Sequence, residues 1–282
     1  MASPYYFTQA DVCRLEEQAA QLRQDIIRMI HAAGAGHPGG SLSSVDMITA
    51  LYFHVLRLDP TDPRWAERDR FVLSKGHACP ALYAALARRG FFDAAELGTL
   101  RQYRSILQGH PDMNKTPGVD MSAGSLGNGL SVGVGMALSA RLHKQTYRTY
   151  VLLGDGECQE GMVWEAAMAA GHHRLDSLTA IVDCNGVQIN GWTNDIMTVE
   201  PLADKWRAFG WRTVECDGHD MRSVLVALHT AAAMRHPTAI LMRTVKGKGV
   251  SFMEDESAWH GRAPSEEELL QAVEEIMKGG EA

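Results

Sequence analysis

The sequence predicts an α/β fold, a mostly parallel sheet with helices on both faces. Three observations carry that prediction. Strand-like stretches at 71–73, 150–153, 178–182, 211–216 and 237–242, all but the fourth largely apolar, alternate with stretches whose apolar residues recur every three or four positions. Several of these runs end in a turn combining glycine with an acidic residue or a histidine, and open α/β sheets bind ligands at such strand ends. The chain has 282 residues, 45% hydrophobic and 22% charged, enough to bury one large core or two modest ones.

Taken in order, the chain opens with an amphipathic helix from Thr8, in which Val12, Leu15, Ala19, Leu22, Ile26 and Met29 share a face. Thr8 suits the N-cap, Asp11 complements the helix dipole, and Gly34 with Gly36 ends the helix. Residues 36–41, Gly-His-Pro-Gly-Gly-Ser, read as a rigid loop around His37, and a second helix starts near Ser43 or Ser44. A polar connection over 58–70 leads to the strand at 71–73, which runs into Ser74-Lys75-Gly76-His77. Helices are expected at 80–89 and 94–103, followed by a third histidine loop around His110. The segment 122–137 reads as a glycine-rich turn leading into a helix that Gly133 and Gly135 pack closely.

The central unit spans the strand at 150–153, the turn Gly154-Asp155-Gly156-Glu157, a helix, and the strand at 178–182 ending in Asp183-Cys184-Asn185. A polar loop at 186–196, a helix at 202–209, a strand at 211–216, a helix at 221–233 and a strand at 237–242 follow. Residues 246–250 read as a mobile basic loop, and His260 lies in a further loop. Ser265 with Glu268 forms a capping box for the last helix. The expected organisation is a single domain, 1–282, with its first helix inside 1–35 and its last inside 264–282.

Composition excludes several classes. The net charge of −7 and the scattered Lys and Arg argue against nucleic-acid binding. No apolar run approaches the ~20 residues of a membrane span. The N-terminus lacks the basic and apolar regions of a secretory signal, so a cytoplasmic location is expected. Five cysteines without a C-x-x-C pair suggest neither a disulfide framework nor a zinc site.

Asp155 and Asn185 place a carboxylate and an amide oxygen at the ends of two strands expected to be parallel neighbours. With a backbone carbonyl just beyond Asn185, they suit a hard dication that also binds diphosphate oxygens. Gly154 and Gly156 permit close approach, and the helix starting near Glu160 can turn its N–H groups toward an anion. The glycines at 154, 156 and 161 do not match the G-x-G-x-x-G dinucleotide fingerprint. Of twelve histidines, His37, His77, His110 and His260 lie in loops with Gly or Pro, where neutral imidazole suits proton transfer or hydrogen bonding to a polyol.

These motifs carry a resemblance. GDGECQEGMVWEAA followed by IVDCNG resembles the thiamine diphosphate signature. GAGHPGGSLSS, LSKGHA, GSLGNGLSVGVGMA, TVKGKGVSFMED and WHG resemble transketolases more than 2-oxoacid dehydrogenases or decarboxylases. The resemblance covers nearly the whole chain and is to the N-terminal, thiamine-diphosphate-binding part of a transketolase made as a separate subunit. It implies thiamine diphosphate with Mg²⁺, or Ca²⁺ or Mn²⁺ in its place, held by Asp155, Asn185 and the Val187 carbonyl. It further implies that Gly154, Gly156, Glu157, Gly124, Ser125, Leu126 and His77 contact the cofactor. His37, His77, His110 and His260 would stabilise oxyanions or move protons. Ser125 stands where many members have proline, and Glu160 and Glu165 match acidic residues near the family's dimer interface. Lys246 and Lys248 read as loop charges near the pocket mouth.

The pyrimidine-binding domain of full-length members, with its activating glutamate, is absent from this sequence. The expected enzyme is therefore a split transketolase, an α2β2 heterotetramer with a C-terminal subunit carrying that domain. It would move a two-carbon ketol unit between sugars or sugar phosphates. Two alternatives stay open: a deoxyxylulose-phosphate-synthase-like carboligase, and a non-catalytic partner subunit.

Overall fold

The computed structural model describes residues 6–279; residues 1–5 and 280–282 of the expected domain lie outside the described residues. Helix α1 (Gln9–Ala33) starts at a complete capping box: the Thr8 hydroxyl accepts from the Asp11 amide at 3.2 Å, and the Thr8 amide donates to the Asp11 carboxylate at 2.9 Å. It ends at Gly34, whose φ of 62° is the left-handed conformation of a helix C-cap. Its apolar stripe is fully buried, as the periodicity requires.

Five parallel strands form the sheet: β1 (Arg70–Leu73), β2 (Thr149–Gly154), β3 (Leu178–Cys184), β6 (Arg212–Asp217) and β7 (Thr238–Arg243). Their order is β1-β2-β3-β7-β6. The apolar residues of the central strands alternate between two cores. Tyr150, Leu152, Ile181 and Ile240 face one core, built with α1, α3 (Val45–Ala50), α4 (Cys79–Arg88) and α9 (Met221–Ala233). Val151, Leu153, Val182 and Leu241 face the other, built with α5 (Asn128–Leu142), α6 (Gly161–His173) and α8 (Leu202–Ala208). Burial on both faces explains why these strands read as continuous apolar runs. The last helix, α10 (Glu266–Gly279), packs on α1 and begins at the expected Ser265–Glu268 box. Among the described residues, no helix is long and apolar enough to cross a membrane.

Several local expectations are corrected. The stretch 94–103 is a 3₁₀ turn over Ala94–Thr99, and Arg101 and Arg104 beyond it adopt positive φ, which breaks helical propagation. The expected rigid loop at 36–41 contains a short helix, α2 (Pro38–Leu42), with Pro38 in its first turn. The polar loop at 186–196 contains a two-stranded hairpin, β4 (Val187–Gln188) with β5 (Gly191–Trp192), followed by one turn of helix, α7 (Thr193–Ile196). Gly133 is required for packing, since an added Cβ would lie 2.5 Å from Val151; Gly135 faces open space.

The chain passes from β3 to β6 and then returns to lay β7 between them, and open parallel sheets of this kind bind ligands outside the carboxyl ends of their strands. The candidate residues converge there.

Candidate functional site

Register brings the first pair together. Gly154 and Asp183 are Cα partners across β2 and β3, and the Asp155 amide donates to the Asp183 carbonyl at 3.2 Å. The acidic turn and the asparagine turn are thus adjacent although 30 residues separate Asp155 from Asn185. A cleft of about 360 Å³ opens over them. Gly154, Asp155, Gly156, Glu157, Asn185, Val187, Gly124, Leu126, His77 and His260 are among the residues that line it.

The oxygens are specifically oriented. The Asp155 carboxylate accepts from the Gly156 amide at 2.7 Å and from the Gly186 amide at 2.6 Å. The Asn185 amide nitrogen donates to Asp183 at 3.0 Å, while its oxygen accepts from the Val187 amide at 3.0 Å. Burial, followed by the neighbouring Asp183 carboxylate, pushes Asp155 up to about 6. A carboxylate, an amide oxygen and a carbonyl form a donor set suited to a hard dication such as Mg²⁺.

Three of the four loop histidines meet. The His37 ring centroid lies 5.2 Å from that of His77 and 5.3 Å from that of His260, and His77 lies 5.1 Å from His260. Burial lowers all three. His37 and His260 fall to about 4, and His77 falls well below its ordinary value, with Lys75 as its next cause. All three are neutral at physiological pH. The Lys246 ammonium lies 3.1 Å from Nδ1 of His260, so that nitrogen accepts and Nε2 carries the proton. Nδ1 of His37 is buried with no hydrogen-bond partner among the described residues. His110 is exposed and does not line the cleft, although it lies beside Gly124 and acts electrostatically on His37. Ser125 is also exposed and outside the cleft lining; its carbonyl accepts from the Asn128 side chain at 3.4 Å.

The lysines differ from expectation. Lys246 is not a mobile charge at the mouth but is buried, donating to the Val187 carbonyl at 2.9 Å. Burial, then the nearby Lys75, lowers it to about 8. Lys75 is equally buried and pairs with Asp183, so two ammonium groups line one cleft. Glu157 is likewise buried, and its carboxylate is taken up by protein donors: the Ser74 hydroxyl, the Gly127 amide at 2.8 Å and the Gly154 amide at 3.0 Å. It ties three cleft-forming loops together.

Sequence reasoning assigned no role to Lys75 or Asp183. The usable signals were a lysine shortly past a buried strand and a carboxylate following the apolar pair Ile181-Val182, since an isolated buried charge requires a partner.

Fold and site together have the form of a diphosphate-binding α/β domain. Residues 16–277 match the family described as transketolase, thiamine diphosphate binding domain. The chain belongs to this family. It is 47% identical to the 6-deoxy-6-sulfo-D-fructose transketolase subunit SqwG of Clostridium sp. (strain MSTE9), over 94% of this chain and 97% of that protein. It is 43% identical to an apulose-4-phosphate transketolase subunit of Phocaeicola vulgatus, over 94% of each. The solved transketolase of Campylobacter jejuni superposes with a TM-score of 0.89 at 34% identity, covering 93% of this chain but 42% of the other. The chain therefore spans nearly the full length of separate transketolase subunits and less than half of a single-chain enzyme.

Proposed function

We propose that this chain is the thiamine-diphosphate-binding subunit of a two-subunit transketolase, which transfers a two-carbon ketol unit from a ketose or ketose phosphate to an aldose or aldose phosphate. The carrying observation is the meeting of Asp155, Asn185 and three neutral histidines at one carboxyl edge of the sheet, between β2, β3 and β7. The near full-length likeness to transketolase subunits supports the same reading.

In this reading Asp155 and Asn185 would hold Mg²⁺ through side-chain oxygens, joined by the second lone pair of the Val187 carbonyl, whose first accepts from Lys246. Lys75 and Lys246 offset the diphosphate charge from the buried side. When bound, thiamine diphosphate supplies a nucleophilic carbon and an electron sink for breaking and forming carbon–carbon bonds. Neutral His37, His77 and His260 bind sugar hydroxyls and relay protons; the Nε2–H of His260 is a donor because Lys246 occupies Nδ1. Low imidazole basicity favours hydrogen-bond donation to a developing oxyanion without a fixed positive charge. The pyrimidine-binding face comes from a C-terminal partner subunit, in an α2β2 assembly.

The test is calorimetric. The chain, co-purified with its partner subunit, is titrated with thiamine diphosphate with and without Mg²⁺, then assayed for ketol transfer between donor and acceptor sugars. Mg²⁺-dependent binding and transfer without CO₂ release are expected. Absence of Mg²⁺-dependent binding defeats the proposal, and CO₂ release from a 2-oxoacid donor would assign a different carboligase.

A further inference from the structure

Asp183 lies at the carboxyl end of β3, entirely buried and just outside the set of residues that face the cleft. Its carboxylate collects donors from four separate chain segments. One oxygen accepts from the Ser43 hydroxyl at 2.6 Å, from Ser44 at 3.4 Å, from the Lys75 ammonium and from the Asn185 amide at 3.0 Å. The other accepts from the Thr244 hydroxyl. Each segment carries a cleft residue nearby in sequence: Gly40 precedes Ser43, His77 follows Lys75, Lys246 follows Thr244, and Asn185 is itself a proposed metal ligand.

We propose that Asp183 is a positioning residue for cofactor binding: its carboxylate fixes the direction of the Asn185 amide and holds the four segments in register. An ionised carboxylate only accepts, so it selects the nitrogen end of the Asn185 amide and turns the oxygen end away. The Val187 amide, which only donates, selects that oxygen from the opposite side at 3.0 Å. Together they leave Asn185 one orientation, with its oxygen as the ligand atom. A leucine at position 183, of similar size, would present no acceptor to Asn185 and would lose this selection; an asparagine would keep it, because the Lys75 ammonium donates to the same oxygen and would hold the amide oxygen toward Asn185. The Ser43, Lys75 and Thr244 donors hold the carboxylate itself, so its direction does not depend on Asn185. Partners that orient a metal ligand contribute to metal affinity without touching the metal.

This inference rests on the functional reading above, and the experiment separates the two. The probe is Mn²⁺, which carboxylate and carbonyl sites accept and whose free ion has a paramagnetic resonance signal lost on binding. With thiamine diphosphate saturating, Mn²⁺ is titrated into the complex of the full chain and its partner. For Asp183→Leu, the apparent Mn²⁺ dissociation constant should rise about 10–100-fold in folded protein, the usual range for loss of a ligand-orienting partner. In Asp183→Leu/Asn185→Asp the affinity should recover, because a carboxylate ligand has two equivalent oxygens and needs no neighbour to choose between them. Should Asp183→Leu fail to fold, Ser43→Ala/Thr244→Val, which loosens the carboxylate without altering a cleft residue, should raise the constant in the same direction. An unchanged constant in whichever of these variants folds, or failure of the Asn185→Asp rescue, overturns the proposal. If the unaltered complex binds no Mn²⁺ with thiamine diphosphate, the functional reading itself is overturned, and this inference with it.

Discussion

Replacing Glu157 by glutamine tests how the glycine turns are held. The carboxylate accepts three hydrogen bonds: from the Ser74 hydroxyl and the Gly127 amide on one oxygen, and from the Gly154 amide on the other. Glutamine has nearly the same shape but only one accepting oxygen. If that oxygen keeps Ser74 and Gly127, the amide nitrogen meets the Gly154 N–H as donor against donor; if it flips, two donors are lost. A buried donor without an acceptor costs about 1–3 kcal/mol. Glu157→Gln should therefore destabilise the chain by about 2 kcal/mol, lowering its melting temperature by about 4–8 °C at roughly this size. Because Gly154 and Gly127 belong to loops that line or border the cleft, thiamine diphosphate affinity should fall as well. Calorimetric melting and a fluorescence titration with the cofactor measure the two effects. A variant that melts within about 1–2 °C of the parent, a shift of about 0.5 kcal/mol, and binds cofactor equally would refute the loop-tying role.

Packing, charge and titration each supply a further test. Gly129→Ala should destabilise by about 1–3 kcal/mol, because its Cβ would lie 2.3 Å from the Ser74 hydroxyl and 2.8 Å from the Ser74 Cα. Gly135→Ala, in the same helix but facing open space, should instead stabilise by up to about 1 kcal/mol; chemical denaturation of both distinguishes a packing requirement from helix propensity. Lys246→Met removes the cation donating to the Val187 carbonyl and His260. The thiamine diphosphate dissociation constant should rise about 10–100-fold, the equivalent of one charged hydrogen bond, and an unchanged constant in a titration refutes the assignment. His37 and His260 fall from the ordinary 6.5 to about 4, so between those values the unfolded chain binds protons that the folded chain does not. Their contribution is fully present above pH 6.5 and is lost as pH falls toward 4, so melting temperature should decline across that window. Replacing both with glutamine should flatten the decline.

The local sequence determined the elements and where they end. Apolar periodicity placed α1 and α9 closely, and continuous apolar runs placed four of the five parallel strands, β6 being a mixed, largely exposed edge strand, because burial on one or two faces imposes its pattern directly on neighbouring residues. Asp155 and Asn185 were legible for the same reason, since a glycine turn directly after a buried strand is a local signal. The segment 94–103 misled because its residues have helical propensity, while Arg101 is left-handed and its amide donates to the Leu107 carbonyl at 2.9 Å, a contact with residues beyond the segment. Lys246 misled because its glycine neighbours suggest mobility; burial against Val187 and His260 is a contact with distant residues. The meeting of His37, His77 and His260, the Lys75–Asp183 pair and the triple use of Glu157 were decided only in the folded structure. These contacts join residues up to 223 positions apart, as His37 and His260 are, and their strength depends on shared burial away from water, which no stretch of sequence displays by itself.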